Sequence, residues 1–289
     1  MRLLSHLLES GEHRLAVGVD AGNVADVEEL LGGGAWTMDR LLLDVPAVLP
    51  RIRRSLESSP PPRLRPLESL RLDAPVLPGK IVAVGRNYRE HAGEESVGVP
   101  AEPLLFAKYP SAVVGDGATV CWSSALTQQV DYEAELAVVV GRRAREVSTG
   151  EALGYVLGYT CLNDVSARDL QVSDGQWTRA KSLDTFCPIG PWLVTADEIP
   201  DPGALRIQCR VNGEVRQDAT TASLVHSVPA LIAYCSQSFT LEPGDVIATG
   251  TPGGVGAFRD PPVFLADGDA VEVEIERIGT LRNICRVTA

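Results

Sequence analysis

The chain has 289 residues, 45% of them hydrophobic, which is enough to bury a substantial core in one large domain or in a large and a small one. Its formal charge of −12 argues against nonspecific binding to nucleic acid and against docking on an anionic membrane. The six cysteines form no CxxC pair, which is typical of free thiols in a reducing compartment. With an N-terminus too charged for a secretory signal and no long apolar run, we expect a cytoplasmic protein without a membrane partner.

The first 72 residues are expected to form a small accessory domain with both helices and strands. It ends in a proline-rich linker that begins near Pro60. The helix predicted last in this segment is interrupted by Pro46 and Pro50. The elements predicted here are a strand at 15–19 and helices at 24–31 and 40–56.

Residues 73–289 are expected to form the main domain. Short apolar strands alternate there with Gly, Pro and Asp turns, which favours a mainly β core (α+β class) with helices at its margins over alternating βαβ units. The predicted strands are 80–85, 204–211 and 245–249, and the predicted helices are 149–154, 164–170 and 224–236.

Two carboxylates at the start of an apolar strand carry the most information. Glu133 and Glu135 are two residues apart, so on a strand they point to the same face. The run 136–140 is apolar throughout, which is typical of a strand buried on both faces. Carboxylates beside such a core are costly unless a cation or a basic partner lies between them. With Asp164 arriving from a second apolar segment, the pattern predicts a site for a hard metal ion.

The spacing of acids alone is weak evidence for a metal. Residues 271–277 also place acids at every second position, but apolar residues alternate with them. That alternation is typical of a half-exposed strand with a solvated acidic face, and we read no metal site there.

A histidine and a glutamate follow the strand predicted at 80–85. His91 and Glu94 are three residues apart, which brings them to one face of a helical turn. A carboxylate beside an imidazole fixes its tautomer and raises its basicity, as a general base near neutral pH requires. On these residues alone, a solvated surface pair is the more common occurrence.

The residues alone do not decide the roles of two lysines and of one glycine-rich loop. Lys108 ends an apolar strand and is expected to extend its amino group toward solvent, whereas Lys181 either stabilises a developing enolate or is a charge at the rim. The loop 249–256 lacks the Gly-Lys-Ser/Thr ending of a phosphate loop. It is either a close backbone approach to a small ligand, with a hydroxyl from Thr251, or a tight structural turn.

Taken in chain order, these segments resemble the fumarylacetoacetate hydrolase family. The resemblance covers residues 80 to about 287 and is strongest for the branch of acylpyruvases, oxaloacetate decarboxylases and 2-hydroxyhepta-2,4-diene-1,7-dioate isomerases. The five segments that carry it are 85–94, 131–141, 163–171, 181–191 and 249–256.

The resemblance implies a mixed β-roll and usually a homodimer. It implies one Mg²⁺, or Mn²⁺ or Ca²⁺, held by Glu133, Glu135 and Asp164, and a small 2-oxo or β-diketo acid as substrate. It assigns catalysis to His91, Glu94 and Lys181. It assigns the substrate-lining positions to Arg86, Tyr88, Gln171 and Thr251. Residues 93–100 resemble the lid of the family.

The resemblance implies a metal-dependent hydrolase that cleaves a C–C bond of an acylpyruvate-like acid through an enolate. Because a cation and an ammonium group stabilise the same enolate in related reactions, two alternatives remain open. One is decarboxylation of oxaloacetate or isomerisation of a 2-hydroxydienedioate. The other is a protein that binds a 2-oxo acid without catalysis, which the intact set of acids, base and lysine disfavours.

Overall fold

Three β-sheets form the framework of the protein. The computed structural model describes residues 1–58, 62–94 and 98–289. The strands are β1 (Arg2–Leu7), β2 (His13–Gly18), β3 (Asn23–Asp26), β4 (Arg65–Pro66), β5 (Arg71–Leu72), β6 (Ile81–Gly85), β7 (Leu104–Lys108), β8 (Val113–Val114), β9 (Thr119–Ser123), β10 (Val130–Asp131), β11 (Ala134–Val140), β12 (Val156–Asn163), β13 (Ser166–Ala167), β14 (Cys187–Thr195), β15 (Arg206–Val211), β16 (Glu214–Thr220), β17 (Val246–Ala248), β18 (Ala270–Ile275) and β19 (Gly279–Thr288). The α-helices are α1 (Val27–Leu31), α2 (Met38–Leu42), α3 (Val45–Leu56), α4 (Arg89–Glu94), α5 (Arg168–Asp174) and α6 (Val228–Ser238).

The two larger sheets contain both parallel and antiparallel pairs. The main sheet runs β4-β3-β2-β1-β14-β12-β11-β17-β6-β7, with β5 beside β1 and β8 beside β14. The second runs β16-β15-β18-β19-β9, and β10 pairs with β13 alone. Side chains of both large sheets share one hydrophobic cluster, as Leu136 and Val273 illustrate. The mainly β fold with mixed sheets is as predicted.

The N-terminal segment joins the main sheet. Strand β1 pairs antiparallel with β14, placing Leu3 opposite Leu193. Leu15 and Ile52 belong to the same buried cluster as Ala137, which lies on β11. The N-terminal elements therefore add to the sheet that carries the site, and the division of the chain at residue 72 stays a prediction.

The predicted strands lie within one or two residues of the observed ones, but several helix predictions were wrong. The segment 24–31 begins as β3 and becomes helical only at Val27, because β3 completes a pairing with β2. The segment 149–154 contains only a 3-10 turn, and 164–170 contains β13 before α5 begins. Two helices replace the one predicted at 40–56. In α3 Pro46 occupies the first turn, where its missing N–H is not needed, and Pro50 is accommodated inside the helix.

The contrast between the two acidic strands is confirmed. Every residue of β11 is buried, whereas β18 alternates between half-buried and buried positions. The six cysteines are free, and five of them are buried.

Two predicted segments lie only partly within the described residues. The linker contains Pro60, and the lid at 93–100 contains residues 95–97, which lie outside the described residues. Among the helices of the described residues, none has the length and apolar character needed to span a membrane.

Candidate metal centre and catalytic cleft

Three carboxylates converge where β11 and β12 meet. Ala134 pairs with Asn163, so the residues just outside that pair lie side by side. The Asp164 N–H donates to the carbonyl of Glu133 at 2.9 Å. One oxygen each from Glu133, Glu135 and Asp164 lies within 4.8 Å of the others. Glu133 precedes β11 and is not part of it, yet its carboxylate converges with that of Glu135 as predicted.

Two buried lysines neutralise part of this charge. Lys181 Nζ donates to Glu133 Oε2 at 2.7 Å and to Asp164 Oδ2 at 2.9 Å. Lys108 Nζ donates to Asp164 Oδ1 at 2.6 Å and also to the carbonyl of Lys181. The expectation that Lys108 reaches solvent was wrong: its side chain is fully buried because β7 directs it toward Asp164. Lys181 is likewise buried and is not a rim charge.

A guanidinium group completes the ion-pair network. Arg168 Nη1 lies 2.7 Å from Glu133 Oε1, and its Nε donates to Asp131 Oδ2 at 2.9 Å. Burial opposes the charge of Arg168, but Glu133 and Asp131 outweigh it and raise the pKa of this side chain. Sequence reasoning assigned no role to Arg168 or Asp131. Both residues lie inside segments that carry the family resemblance, and their charge was the signal that could have identified them. The sequence of these segments does not show which charged side chains contact each other.

The two glutamates respond oppositely to the same surroundings. Burial raises the pKa of Glu133, but Lys181 and Arg168 outweigh burial and hold it well below its usual value. Burial, followed by the charges of Asp164 and Glu133, raises the pKa of Glu135 well above its usual value. Glu135 therefore carries the poorly compensated charge of the cluster.

The donor set fits a hard divalent cation. Four buried carboxylates (Asp131, Glu133, Glu135 and Asp164) face three buried cations (Lys108, Lys181 and Arg168), which leaves one negative charge. The three converging groups offer only oxygen, the ligand that Mg²⁺, Mn²⁺ and Ca²⁺ prefer.

The glycine-rich loop holds site carboxylates with its backbone. The Gly250 N–H donates to Glu135 Oε2 at 2.8 Å, and the Gly254 N–H donates to Glu94 Oε1 at 2.7 Å. Gly256 N–H donates to Asp131 Oδ1 at 2.8 Å. The backbone of this loop therefore approaches carboxylates of the protein itself, and its approach to a small ligand stays a prediction.

The His91–Glu94 pair lies on α4, and His91 lines a cleft together with Glu133 and Glu135. His91 Nδ1 is 3.3 Å from Glu94 Oε2, as their spacing predicts. His91 is buried, and its ring centroid lies 6.0 Å from that of Phe258. The burial of His91 excludes a solvated surface pair and leaves a histidine with a carboxylate fixed at one ring nitrogen.

One cleft collects most of the predicted site residues. It is lined by Val84, Gly85, Arg86, His91, Phe106, Glu133, Glu135, Arg168, Gln171, Trp177, Lys181 and Thr251. Thr251 Oγ1 accepts a hydrogen bond from Gln217 Nε2 at 2.8 Å. The Arg86 guanidinium carbon lies 5.5 Å from the centroid of the Trp177 ring. Trp177 thus forms one wall of the cleft, a role that sequence reasoning did not identify.

The structure does not bring Tyr88 to this lining. Tyr88 is fully buried, and a backbone bridge to Leu224 holds it inside the protein. Burial and then the charge of Glu135 raise the pKa of its hydroxyl. The side chain contributes packing next to the acids, while a direct contact with substrate stays a prediction.

Comparison with known proteins agrees with this arrangement. The "Fumarylacetoacetate (FAA) hydrolase C-terminal" family matches residues 80–287. A Bos taurus protein, "Oxaloacetate tautomerase FAHD2A, mitochondrial", is 44% identical over 92% of this chain and 86% of its own. The crystal structure of 2-hydroxyhepta-2,4-diene-1,7-dioate isomerase from Mycobacterium marinum has 38% identity and a TM-score of 0.77, covering 100% of this chain and 99% of its own.

A second solved structure bears on the metal. Maleylpyruvate hydrolase from Sphingobium sp. SYK-6, in complex with manganese (II) ion and pyruvate, has 34% identity and a TM-score of 0.82, with full coverage of both chains. The family match alone spans well over half of the chain. The chain therefore belongs to the fumarylacetoacetate hydrolase family.

Proposed function

We propose that this protein is a divalent-metal-dependent enzyme that interconverts the keto and enol forms of a small 2-oxo acid with a second carboxylate, oxaloacetate being the first candidate. The observation that carries the proposal is one cleft lined by Glu133 and Glu135 of the acidic triad, by the buried His91 and by Arg86. Relatives named oxaloacetate tautomerase, which match nearly the whole chain, support the choice of reaction.

Glu133, Glu135 and Asp164 would hold the ion, with Mg²⁺ as first choice and Mn²⁺ or Ca²⁺ as alternatives. When bound, a divalent ion supplies positive charge that favours the enolic form of a 2-oxo acid. Lys181 contacts two of these acids, and its ammonium would donate to the oxygen on carbon 2 of the substrate.

The proton transfer is assigned to His91 with Glu94. The carboxylate of Glu94 next to Nδ1 favours the tautomer with its proton on Nδ1, in which Nε2 is the basic nitrogen that would take a proton from carbon 3 of the substrate. Arg86 and Gln171 line the same cleft and would bind the second carboxylate, with Thr251 beside them. A planar guanidinium suits a carboxylate because it can donate two parallel hydrogen bonds.

Hydrolysis of a C–C bond in an acylpyruvate-like acid is the second candidate function. A histidine with a carboxylate partner can activate water, and the His91–Glu94 pair provides this arrangement. Decarboxylation of oxaloacetate and isomerisation of 2-hydroxyhepta-2,4-diene-1,7-dioate remain alternatives at the same groups. The assignment as a hydrolase or an isomerase is thus a choice among reactions that share an enol.

A substrate panel separates these reactions. Enol-oxaloacetate decay, pyruvate release from oxaloacetate and cleavage of acetylpyruvate are measured with Mg²⁺, with Mn²⁺ and with EDTA. We expect the fastest metal-dependent rate for enol decay, and Arg86→Met should reduce it more for oxaloacetate than for phenylpyruvate, which lacks a second carboxylate. If no divalent ion accelerates any of the three reactions, the proposal is wrong.

The surroundings of the enzyme stay predictions from the sequence. They are a homodimer, a cytoplasmic location, and no nucleic-acid or membrane partner. Light scattering after gel filtration tests the first, because a dimer doubles the chain mass of 30.8 kDa.

A further inference from the structure

Two aromatic rings in the cleft contact two of its cations. Trp177 and Phe106 lie edge to face, with ring centroids 5.3 Å apart and planes at 72°. The Arg86 guanidinium carbon lies 5.5 Å from the Trp177 centroid, and Lys181 Nζ lies 5.4 Å from the Phe106 centroid. Both distances are within the range at which an aromatic face attracts a cation. All four side chains line the cleft, so contacts through the two rings connect Arg86 with Lys181.

The Trp177 ring is itself fixed against the backbone. A Cβ added to Gly85 would lie 2.5 Å from Trp177 Cζ3 and 3.1 Å from its Cη2. Because Gly85 has no side chain, the ring packs directly on the end of β6. The carbonyl of Trp177 also accepts a hydrogen bond from the N–H of Lys181 at 3.0 Å. The residue thus contacts both sides of the cleft, with its ring against Arg86 and its carbonyl against Lys181.

The backbone of Arg86 is fixed separately from its side chain. Arg86 has φ 58°, in the left-handed region that non-glycine residues adopt infrequently. The neighbouring Asn87 is fully buried, and its Nδ2 donates to the carbonyls of Thr249 at 2.8 Å and His226 at 3.0 Å. These hydrogen bonds hold the turn after β6, but they do not order a long side chain with many rotamers. A contact with the guanidinium itself is needed for that, and the Trp177 ring provides one.

An aromatic face is well suited to hold a guanidinium that must bind a carboxylate. A carboxylate partner within the protein would accept N–H groups of the guanidinium and neutralise its charge. A ring face attracts the same cation through its π electrons and leaves the in-plane N–H donors that it does not touch to other acceptors. Two parallel hydrogen bonds to a carboxylate also require a defined orientation of the guanidinium plane, which a fixed ring supplies.

We propose that Trp177 is a positioning residue that holds the Arg86 guanidinium for the second carboxylate of the substrate. Through this contact the cleft prefers 2-oxo acids with two carboxylates over those with one. The inference rests on the proposed function, and it goes further by naming a residue that determines the class of substrate.

Exchange of the protons on carbon 3 for deuterium, followed by NMR in D₂O with Mg²⁺, tests the inference. Oxaloacetate and 2-oxobutyrate are a matched pair of substrates, because a methyl group replaces the second carboxylate in 2-oxobutyrate. In Trp177→Leu we expect KM for oxaloacetate to rise at least about fivefold, the loss typical of one cation–π contact. The kcat for oxaloacetate, and both constants for 2-oxobutyrate, should change by less than about twofold, because the contact is made equally in the ground state and in the transition state.

Three further variants separate positioning from general damage. In Trp177→Phe, which keeps an aromatic face, KM for oxaloacetate should lie closer to the wild-type value than in Trp177→Leu. In Arg86→Met, the addition of Trp177→Leu should raise this KM no further, since two residues that act as a unit are not additive. Gly85→Ala places a methyl group against the ring while keeping both Trp177 and Arg86, and it should raise KM for oxaloacetate in the same direction.

Trp192 offers a matched control. The Arg2 guanidinium carbon lies 5.1 Å from its ring centroid, and Trp192 is half-buried like Trp177. Neither Trp192 nor Arg2 is among the described residues that line the cleft. Trp192→Leu therefore removes a Trp–Arg contact of the same kind at a distant place, and KM for both substrates should stay at the wild-type value.

The outcomes distinguish the inference from the proposed function. An unchanged KM for oxaloacetate in folded Trp177→Leu, or an equal rise for 2-oxobutyrate, overturns the inference and leaves a metal-dependent enzyme intact. Additive effects of Trp177→Leu and Arg86→Met also overturn it. If wild-type protein exchanges neither substrate with any divalent ion, the proposed function fails and the inference fails with it. If Trp177→Leu does not fold, Gly85→Ala decides, and an unchanged KM for oxaloacetate there overturns the inference.

Discussion

Glu135→Gln should stabilise the metal-free protein and abolish its response to Mg²⁺. Burial and the charges of Asp164 and Glu133 raise the pKa of Glu135, and the charge of Lys181 and the N–H of Gly250 offset this only in part. A glutamine of the same shape keeps an oxygen for that N–H. It removes the excess charge and with it one ligand of the ion.

The magnitude follows from burial and chain length. Replacing a buried ion pair by neutral groups of similar volume often stabilises by about 1–4 kcal/mol, and we expect the same range for Glu135 because its carboxylate is poorly compensated. An unfolding entropy of about 2.1 cal/mol/K per residue makes 1 kcal/mol equivalent to roughly 1.6 °C in a chain of 289 residues. In EDTA the variant should therefore melt roughly 2–6 °C above wild type. At a Mg²⁺ concentration of 100 Kd, wild type should gain about 2.7 kcal/mol and the variant nothing.

Thermal unfolding with EDTA and with Mg²⁺ measures both effects. Because the pKa of Glu135 is raised in the folded state, its protonated form contributes stability at low pH that is lost as pH rises through the folded pKa. The gap between variant and wild type should thus widen with rising pH. Glu274→Gln, on the half-exposed strand β18, is the control and should keep the full Mg²⁺ response. A less stable Glu135→Gln protein in EDTA, or an undiminished Mg²⁺ shift, would refute the reasoning.

Three further variants address the proton transfer, the ammonium group and the N-terminal segment. Glu94→Gln should slow enol decay by about 10²–10⁴ because His91 loses its carboxylate, while calorimetry shows unchanged Mg²⁺ binding; full activity would contradict this role. Lys181→Met should bind Mg²⁺ more tightly and lose turnover, since its ammonium competes for two ligand oxygens; weaker binding would argue against competition. The His6 contact, followed by that of Arg65, lowers the pKa of Asp26, so its contribution is present at neutral pH and lost as pH falls through the folded pKa. Asp26→Asn should therefore cost about 1 kcal/mol in urea unfolding at pH 7 and less at pH 3, and an equal cost at both values would exclude this ion pair.

The acidic triad was predictable because it depends on local strand geometry. The apolar run of β11 indicates burial on both faces, and acids at its start must then find a cation. Asp164 joins them because β12 ends beside the start of β11. Strand β18 could be distinguished from β11 in the same way, because the apolar residues of β18 alternate with its acids.

The partners of the triad were not predictable because their contacts are distant in sequence. Lys108 is 56 residues from Asp164, and only the pairing of β6 with β7 directs it inward. A lysine at the end of an apolar strand usually reaches solvent, so its burial depends on an acid that the local pattern does not show. Tertiary pairing also overrode helical spacing at residues 24–26, which complete the edge of β2.

The use of backbone donors explains how the site can hold acids firmly and still attract a cation. The loop 249–256 supplies N–H groups to Glu135, Glu94 and Asp131. These donors orient carboxylates but carry no formal charge, so the cluster keeps its net negative charge. A lysine in place of the Gly250 donor would fix Glu135 equally well, but it would neutralise the cluster and remove much of the attraction for a divalent ion. Glycine is required at position 250 because a Cβ would lie 2.8 Å from Asn87 Cβ, so the backbone donor that orients Glu135 depends on a residue without a side chain.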